Sequence, residues 1–227
     1  MASLPFMKVE NIKKSFNGNE TLSDVSFNLN KNEILGILGP SGSGKTTLLR
    51  IISGLETPEY GRIILNKNVI FDSEKGINLP PEKRNIALVF QDFALWPHLT
   101  VKEHLEFVFE ARNFPKEIRK NLIEKYLKMF GMEEKINSYP KELSGGEKQR
   151  VAIMRALAQE PKVLLLDEPL SNLDSSLKNH LKNEIKKIQK EIKMPIIYVT
   201  HNYLDLIDIT NEIMIIENGK IAKYKNR

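Results

Sequence analysis

Cysteine is absent from this chain, which excludes disulfides and thiolate metal sites and, if anything, leans toward a cytosolic life. Long apolar runs are missing too. The longest is Ile86–Phe90, whereas a membrane-spanning helix needs roughly 20 such residues, so any membrane role must come through a partner. Aromatics are sparse at 7%, with a single Trp, and only 8 of the 34 basic residues are Arg. Without an Arg-rich patch or clustered aromatics, nothing points to dedicated nucleic-acid binding. No targeting segment is expected: Met1–Phe6 is short and lacks a basic start, and Met7-Lys8-Val9-Glu10 itself reads as a natural beginning.

What is present suits one substantial core. The 227 residues are 41% apolar, and the net charge of +5 comes from a Lys-heavy surface that reads as a solvated face. Residues 7–30 read as two short strands around Asn17-Gly18-Asn19. Ile34–Leu38 is a short apolar run that ends at a glycine, and Lys45–Ser53 follows as a helix. Further strands are expected in residues 61–72 and at Ile86–Phe90, Val163–Leu166, Ile196–Val199 and Ile213–Ile216. Helical periodicity runs from Val101 to Gly131, with Ile118, Leu122, Tyr126 and Phe130 on one stripe. It returns in Val151–Gln159 and in the spacing of Leu177, Leu181, Ile185, Ile188 and Ile192. Strands alternating with helices argue for an α/β fold with a parallel sheet. Residues 92–158 read as a helical insertion within one domain, 1–227.

Gly39-Pro40-Ser41-Gly42-Ser43-Gly44-Lys45-Thr46 fits G-x-x-x-x-G-K-[ST] between a strand and a helix, the context of a phosphate-binding P-loop. Its glycines let backbone N–H groups wrap phosphates, and the helix presents its positive end to them. Lys45 supplies charge for the β/γ-phosphates and the Thr46 hydroxyl, beside Thr47, suits Mg²⁺. Leu164-Leu165-Leu166-Asp167-Glu168 ends a buried strand on two carboxylates. Asp167 would hold Mg²⁺, and Glu168 would act as general base on the attacking water.

Leu143-Ser144-Gly145-Gly146-Glu147-Lys148-Gln149-Arg150 narrows the reading. Ser144-x-x-Glu147 is a capping box that starts a helix whatever the function. The whole string resembles the signature of the ATP-binding cassette (ABC) ATPases. In that family Ser144, Gly145 and Gly146 would contact the γ-phosphate of ATP held by a partner subunit, so the resemblance implies a head-to-tail dimer with two shared sites. It extends from Lys8 to Gly219 and covers further single residues. Gln91 lies where the family has a glutamine that reaches Mg²⁺ and the water. His201 lies where it has a γ-phosphate-contacting histidine. Asp174 in Ser171-Asn172-Leu173-Asp174 matches the loop that meets the partner, although the family most often has Ala at the Asn172 position. Phe16 matches the aromatic that stacks on adenine; a core Phe in a hairpin is the alternative. Asn32 replaces the family's usual Gly, and Asn tolerates positive φ.

The resemblance implies a P-loop NTPase core with a parallel sheet, an N-terminal antiparallel β subdomain and an inserted α-helical subdomain. It implies ATP and Mg²⁺, a second copy or a paralogue, polytopic membrane permease subunits, a solute-binding protein in the complex, no nucleic acid, and a peripheral location on the cytoplasmic face of the cell membrane. Leu79-Pro80-Pro81-Glu82-Lys83-Arg84 and the segment Gln91–Val101 resemble importers for polyamines, ferric iron, molybdate or tungstate, sulfate and sugars. Trp96, Pro97 and Leu99 would then serve either as docking residues for the membrane protein or as core. Many such importers carry a C-terminal regulatory domain, whereas this sequence stops soon after Ile213–Ile216. Three readings compete: an importer ATPase, an ABC ATPase with another task (export, or work on nucleic acid or ribosomes), and a P-loop kinase or GTP switch. The last leaves the signature and His201 unexplained.

Overall fold

The computed structural model describes residues 4–171 and 175–226. Two sheets organise them. The first is antiparallel and contains β1 (Met7–Phe16), β2 (Asn19–Leu29), β4 (Tyr60–Leu65), β5 (Asn68–Asp72) and β6 (Ile77–Asn78) in the order β2-β1-β4-β5-β6. The second contains β3 (Ile34–Leu38), β7 (Ile86–Val89), β8 (Val163–Asp167), β9 (Ile196–Thr200), β10 (Glu212–Glu217) and β11 (Lys220–Asn226) in the order β11-β10-β3-β9-β8-β7. Its strands are parallel except β11, which returns antiparallel on β10.

The first two strands are longer than the short pair expected, at 10 and 11 residues. Only Asn17 and Gly18 are left to turn the chain, with φ of 50° and 79°. Both values are left-handed, as a two-residue hairpin whose twist matches its strands requires. Strand β11 was not anticipated; its Lys-rich sequence lacks the apolar run that betrays a buried strand.

The helices are α1 (Lys45–Ser53), α2 (Val101–Ala111), α3 (Lys116–Phe130), α4 (Gly145–Leu157), α5 (Ser175–Ile192) and the short α6 (Tyr203–Leu206). Thr100 starts α2 through a capping box with Glu103. In α3 the buried face is Ile123, Leu127 and Phe130, whereas Ile118 is 47% exposed. The expected stripe was spaced by four throughout, and such a row drifts about 120° around the helix in three steps. In α5, Leu181, Ile185 and Ile188 are buried and Ile192 is exposed.

Alternation along the parallel strands divides the interior. Leu35, Ile37, Val163, Leu165, Ile197 and Val199 pack with α1 and the antiparallel sheet. Ile34, Leu164, Leu166, Ile196 and Tyr198 face the other way and pack with residues of α2, α3, α4 and α5. The helical segment between β7 and β8 therefore shares one apolar layer with the sheet. A single step along a strand switches a side chain between the two layers.

Candidate nucleotide-binding site

Parallel pairing puts the carboxyl ends of β3, β7, β8 and β9 on one edge, the edge where ligands bind in open α/β sheets. The loop after β3 contributes Gly39–Gly44, that after β7 Gln91, that after β8 Glu168, and that after β9 His201. A cavity of about 380 Å³ opens there, lined by Thr21, Ser41, Gly42, Gly44, Lys45, Thr46, Thr47, Gln91 and Glu168. The larger groove of about 700 Å³ between α2 and α3 contains none of these residues.

The loop is tightly built. Gly44 caps α1 with φ 98°, and a Cβ there would lie 2.7 Å from both the Thr21 carbonyl oxygen and Leu22 Cδ2. At Gly39 a Cβ would run into the Ile216 carbonyl. Ser43 Oγ is buried and has no hydrogen-bond partner within the protein. Lys45 Nζ donates to the Pro40 carbonyl at 2.7 Å, bridging the loop. Burial holds the Lys45 pKa below the usual lysine value, with the Glu168 and Asp167 carboxylates opposing the shift.

Thr46 Oγ1 donates to Asp167 Oδ1 at 3.1 Å. Burial raises the Asp167 pKa, against the opposing Thr46 bond. Glu168 has φ 45°, and its N–H donates to the Val199 carbonyl at 2.9 Å. His201 Nδ1 and Glu168 Oε2 are 2.9 Å apart. Gln91 Nε2 lies 3.5 Å from Ser171 Oγ, and that hydroxyl donates to the Glu168 carbonyl at 3.0 Å.

The residues fit a nucleotide with a bound cation. A Gly-rich loop with an orphaned buried hydroxyl is a cradle awaiting acceptors. Thr46, Asp167 and Gln91 offer hard oxygen donors. No cluster of three acidic, His or Cys ligands exists among the described residues, so a cation held here would need phosphate oxygens as well, the usual situation for Mg²⁺.

Expected residues divide into four sets. Ser41, Gly42, Gly44, Lys45, Thr46, Thr47, Gln91 and Glu168 meet at the cavity, with Gly39, Pro40 and Ser43 in the same loop and Asp167 and His201 joined to it by hydrogen bonds. Ser144, Gly145 and Gly146 do not line it. Ser144 is exposed and caps α4, accepting from Glu147 N at 3.3 Å. Asp174 lies outside the described residues. Phe16 ends β1 and is 42% exposed, so it is not a core residue. Asn32 has φ 59°, the conformation its place in the turn demanded. Thr21, near the start of β2, escaped the sequence reading because no motif marks it. Ser171 was read only as part of the loop that meets the partner, and its hydroxyl contact with Gln91 and the Glu168 carbonyl was not foreseen.

The family model described as "ABC transporter" matches residues 22–171. A probable sulfate/thiosulfate import ATP-binding protein of Chlorella vulgaris is 41% identical over 215 residues, covering 95% of this chain and 89% of the relative. A spermidine/putrescine import ATP-binding protein of Thermotoga maritima is 41% identical over 217 residues, covering 96% of this chain. The chain spans only 57% of that relative's length. Among solved structures, the dimeric post-hydrolysis form of the MJ0796 ATP-binding cassette, bound to ADP and Pi, superposes with a TM-score of 0.82. It is 31% identical, with coverage of 97% of this chain and 98% of that one. By sequence across nearly its whole length and by fold, the chain belongs to the ABC transporter family as an ATP-binding cassette.

Proposed function

We propose that this chain is the ATP-hydrolysing subunit of an ABC importer, working as a dimer on the cytoplasmic face of the membrane. The observation that carries the reading is the convergence of Lys45, Thr46, Asp167, Glu168, Gln91 and His201 on one sheet edge around an open P-loop. Loop N–H groups and Lys45 bind the triphosphate, and Phe16 offers a face to the base. Thr46, Asp167 and Gln91 would hold Mg²⁺, which supplies charge neutralisation for the phosphates. Glu168 takes a proton from the attacking water, and His201 keeps its carboxylate in place. Ser144, Gly145 and Gly146 sit away from this cavity, which suits a role at a partner's nucleotide, with Asp174 at the same junction. The partner is a second copy or a paralogue, and the two close over two ATPs. Residues 92–158 act as a helical insertion within a single domain of 1–227.

Among the described residues no helix is long and apolar enough to cross a membrane, so coupling requires permease subunits. A docking surface for them is proposed at Trp96, Pro97 and Leu99. Trp96 stacks on His104 at 5.5 Å, meets the 53%-exposed Phe107 at 4.9 Å and carries the Arg155 guanidinium 4.9 Å from its ring. His104 is buried between the Trp96 N–H and the Thr100 carbonyl, and burial lowers its pKa, which keeps this support neutral. The importer assignment draws on relatives named for import. The cargoes in their names differ, sulfate/thiosulfate in one and spermidine/putrescine in another, and a solute-binding protein would deliver the cargo to the complex. The test is affinity capture of the intact protein from detergent-solubilised native membranes, with the co-purifying proteins identified by mass spectrometry. A polytopic membrane protein is the expected companion; reproducible recovery of only soluble or nucleic-acid partners would overturn the transporter reading.

A further inference from the structure

We propose that Lys14 is a positioning residue that sets the plane of Phe16 and ties it to the phosphate-binding helix. The proposal rests on Phe16 as the platform for the nucleobase. The Lys14 ammonium sits 4.8 Å from the centroid of the Phe16 ring. It also pairs with Glu56 Oε1 at 2.7 Å and donates to the Thr57 carbonyl at 2.9 Å. An ammonium has three donors, and here a carboxylate, a carbonyl and an aromatic face take them.

Glu56 and Thr57 belong to the turn that closes α1. Gly54 caps that helix with φ 87°, and Glu56 N donates back to the Arg50 carbonyl at 3.1 Å. The same turn is tied to β1 twice more: Glu59 N donates to the Lys13 carbonyl at 2.9 Å, and Ser15 N donates to Glu59 Oε1 at 3.1 Å. The platform is thus referenced to the far end of the helix that the P-loop leads into.

Strand pairing alone does not hold the ring. The β1–β2 register shifts on both sides of Lys14, and Phe16 is the last residue before the turn. An exposed side chain there has rotamer freedom unless something occupies one of its faces. The cation takes one face and leaves the other for a base. Because Lys14 acts through Phe16, its loss should be felt by ligands that carry a base and not by ligands that are only phosphate.

The experiment measures the affinity of the full chain for Mg-ATP and for Mg-tripolyphosphate by titration calorimetry, in the wild type, Lys14→Met, Lys14→Arg, Phe16→Ala and the Lys14→Met/Phe16→Ala double variant. Lys14→Met is expected to weaken ATP binding about fivefold, the scale of one exposed cation–π contact, and to leave tripolyphosphate binding unchanged. Lys14→Arg should restore ATP affinity. In the Phe16→Ala background Lys14→Met should have no further effect. Equal weakening for both ligands, or full additivity with Phe16→Ala, would show a structural role only and overturn the proposal. So would unchanged ATP affinity in Lys14→Met alongside a loss in Phe16→Ala. Unchanged ATP affinity in Phe16→Ala removes the platform itself, and with it the role of Lys14. Should Lys14→Met melt below the assay temperature, Glu56→Gln, which weakens the anchor of the ammonium, carries the same test.

Discussion

His201 Nδ1 lies 2.9 Å from Glu168 Oε2, although the two residues are 33 positions apart and arrive from different strands. Adjacent parallel strands make the meeting possible: Asp167 on β8 pairs with Val199 on β9, so the residues that come after each strand emerge side by side. The imidazole therefore holds the carboxylate next to the one that Thr46 contacts.

Glu168→Gln keeps the size of this side chain and removes its capacity to take a proton. We expect ATP binding to persist while hydrolysis slows by about 10²–10⁴-fold, the usual general-base contribution. Phosphate release under single-turnover conditions measures the rate. Sedimentation at saturating ATP should reveal a trapped dimer, and a variant that stays monomeric would contradict the shared-site arrangement.

Asp167→Asn should separate stability from activity. Burial raises the Asp167 pKa, so the folded state binds a proton more readily than the unfolded chain. Folding is therefore favoured relative to the ionised state at low pH, and that benefit is lost as pH rises from the ordinary Asp value through the raised one. At pH 7 the ionised carboxylate costs nucleotide-free stability. The isosteric amide should raise Tm by about 2–4 °C, the shift produced by 1 kcal/mol in a domain of this size. The gain should shrink in acid, where Asp167 is itself neutral. Hydrolysis should be lost. A lower Tm at pH 7 in calorimetric scans would mean that the attraction to Lys45 outweighs desolvation.

Gly44→Ala should be costly where Gly42→Ala is not. Both glycines have positive φ, but a Cβ at Gly42 meets nothing within 4 Å, whereas at Gly44 it collides with the Thr21 carbonyl and Leu22. Gly42→Ala then carries only backbone strain of about 1 kcal/mol. Gly44→Ala must also displace the hairpin, and we expect destabilisation of about 2–4 kcal/mol with loss of ATP binding. Urea melts of the two variants make the comparison; equal midpoints would show that the hairpin yields without cost.

Arg84→Met tests a buried charge. The Arg84 side chain is 1% exposed and donates to the carbonyls of Ile51, Ile52 and Leu79 and to Asn78 Oδ1, at 2.7–3.1 Å. Two of these acceptors belong to the last turn of α1, where a cation also suits the helix dipole. Methionine would fill much of the space but orphan four acceptors. The expected loss is about 2–4 kcal/mol by denaturant melts, in line with removing one member of a buried polar network. A loss below 0.5 kcal/mol, roughly the effect of an ordinary surface substitution, would show that water replaces the guanidinium.

Local chemistry made much of this legible. The P-loop could be placed because each of its requirements acts within a few residues: an apolar strand, glycines free to take positive φ, then a helix-forming run. The end of β8 on Asp167-Glu168 and the capping box at Ser144 were readable for the same reason. The face of α3 was misjudged because Ile118 and Phe130 can share a row in sequence without sharing a side of the helix. Strand β11 stayed hidden because an edge strand with polar residues has no apolar signature.

Taken alone, the residue order determined most of the strands and helices, where the backbone must turn left-handed, and which residue types could handle phosphate. Those properties depend on neighbours in the chain. Only the tertiary structure decided who meets whom: Thr46 with Asp167 across 121 positions, Glu168 with His201, Lys14 with Phe16 and the end of α1, and Arg84 with the carbonyls of that same helix. Strand order sets these distances, and strand order comes from how two apolar layers close on opposite faces of one sheet. That closure is a property of the whole chain.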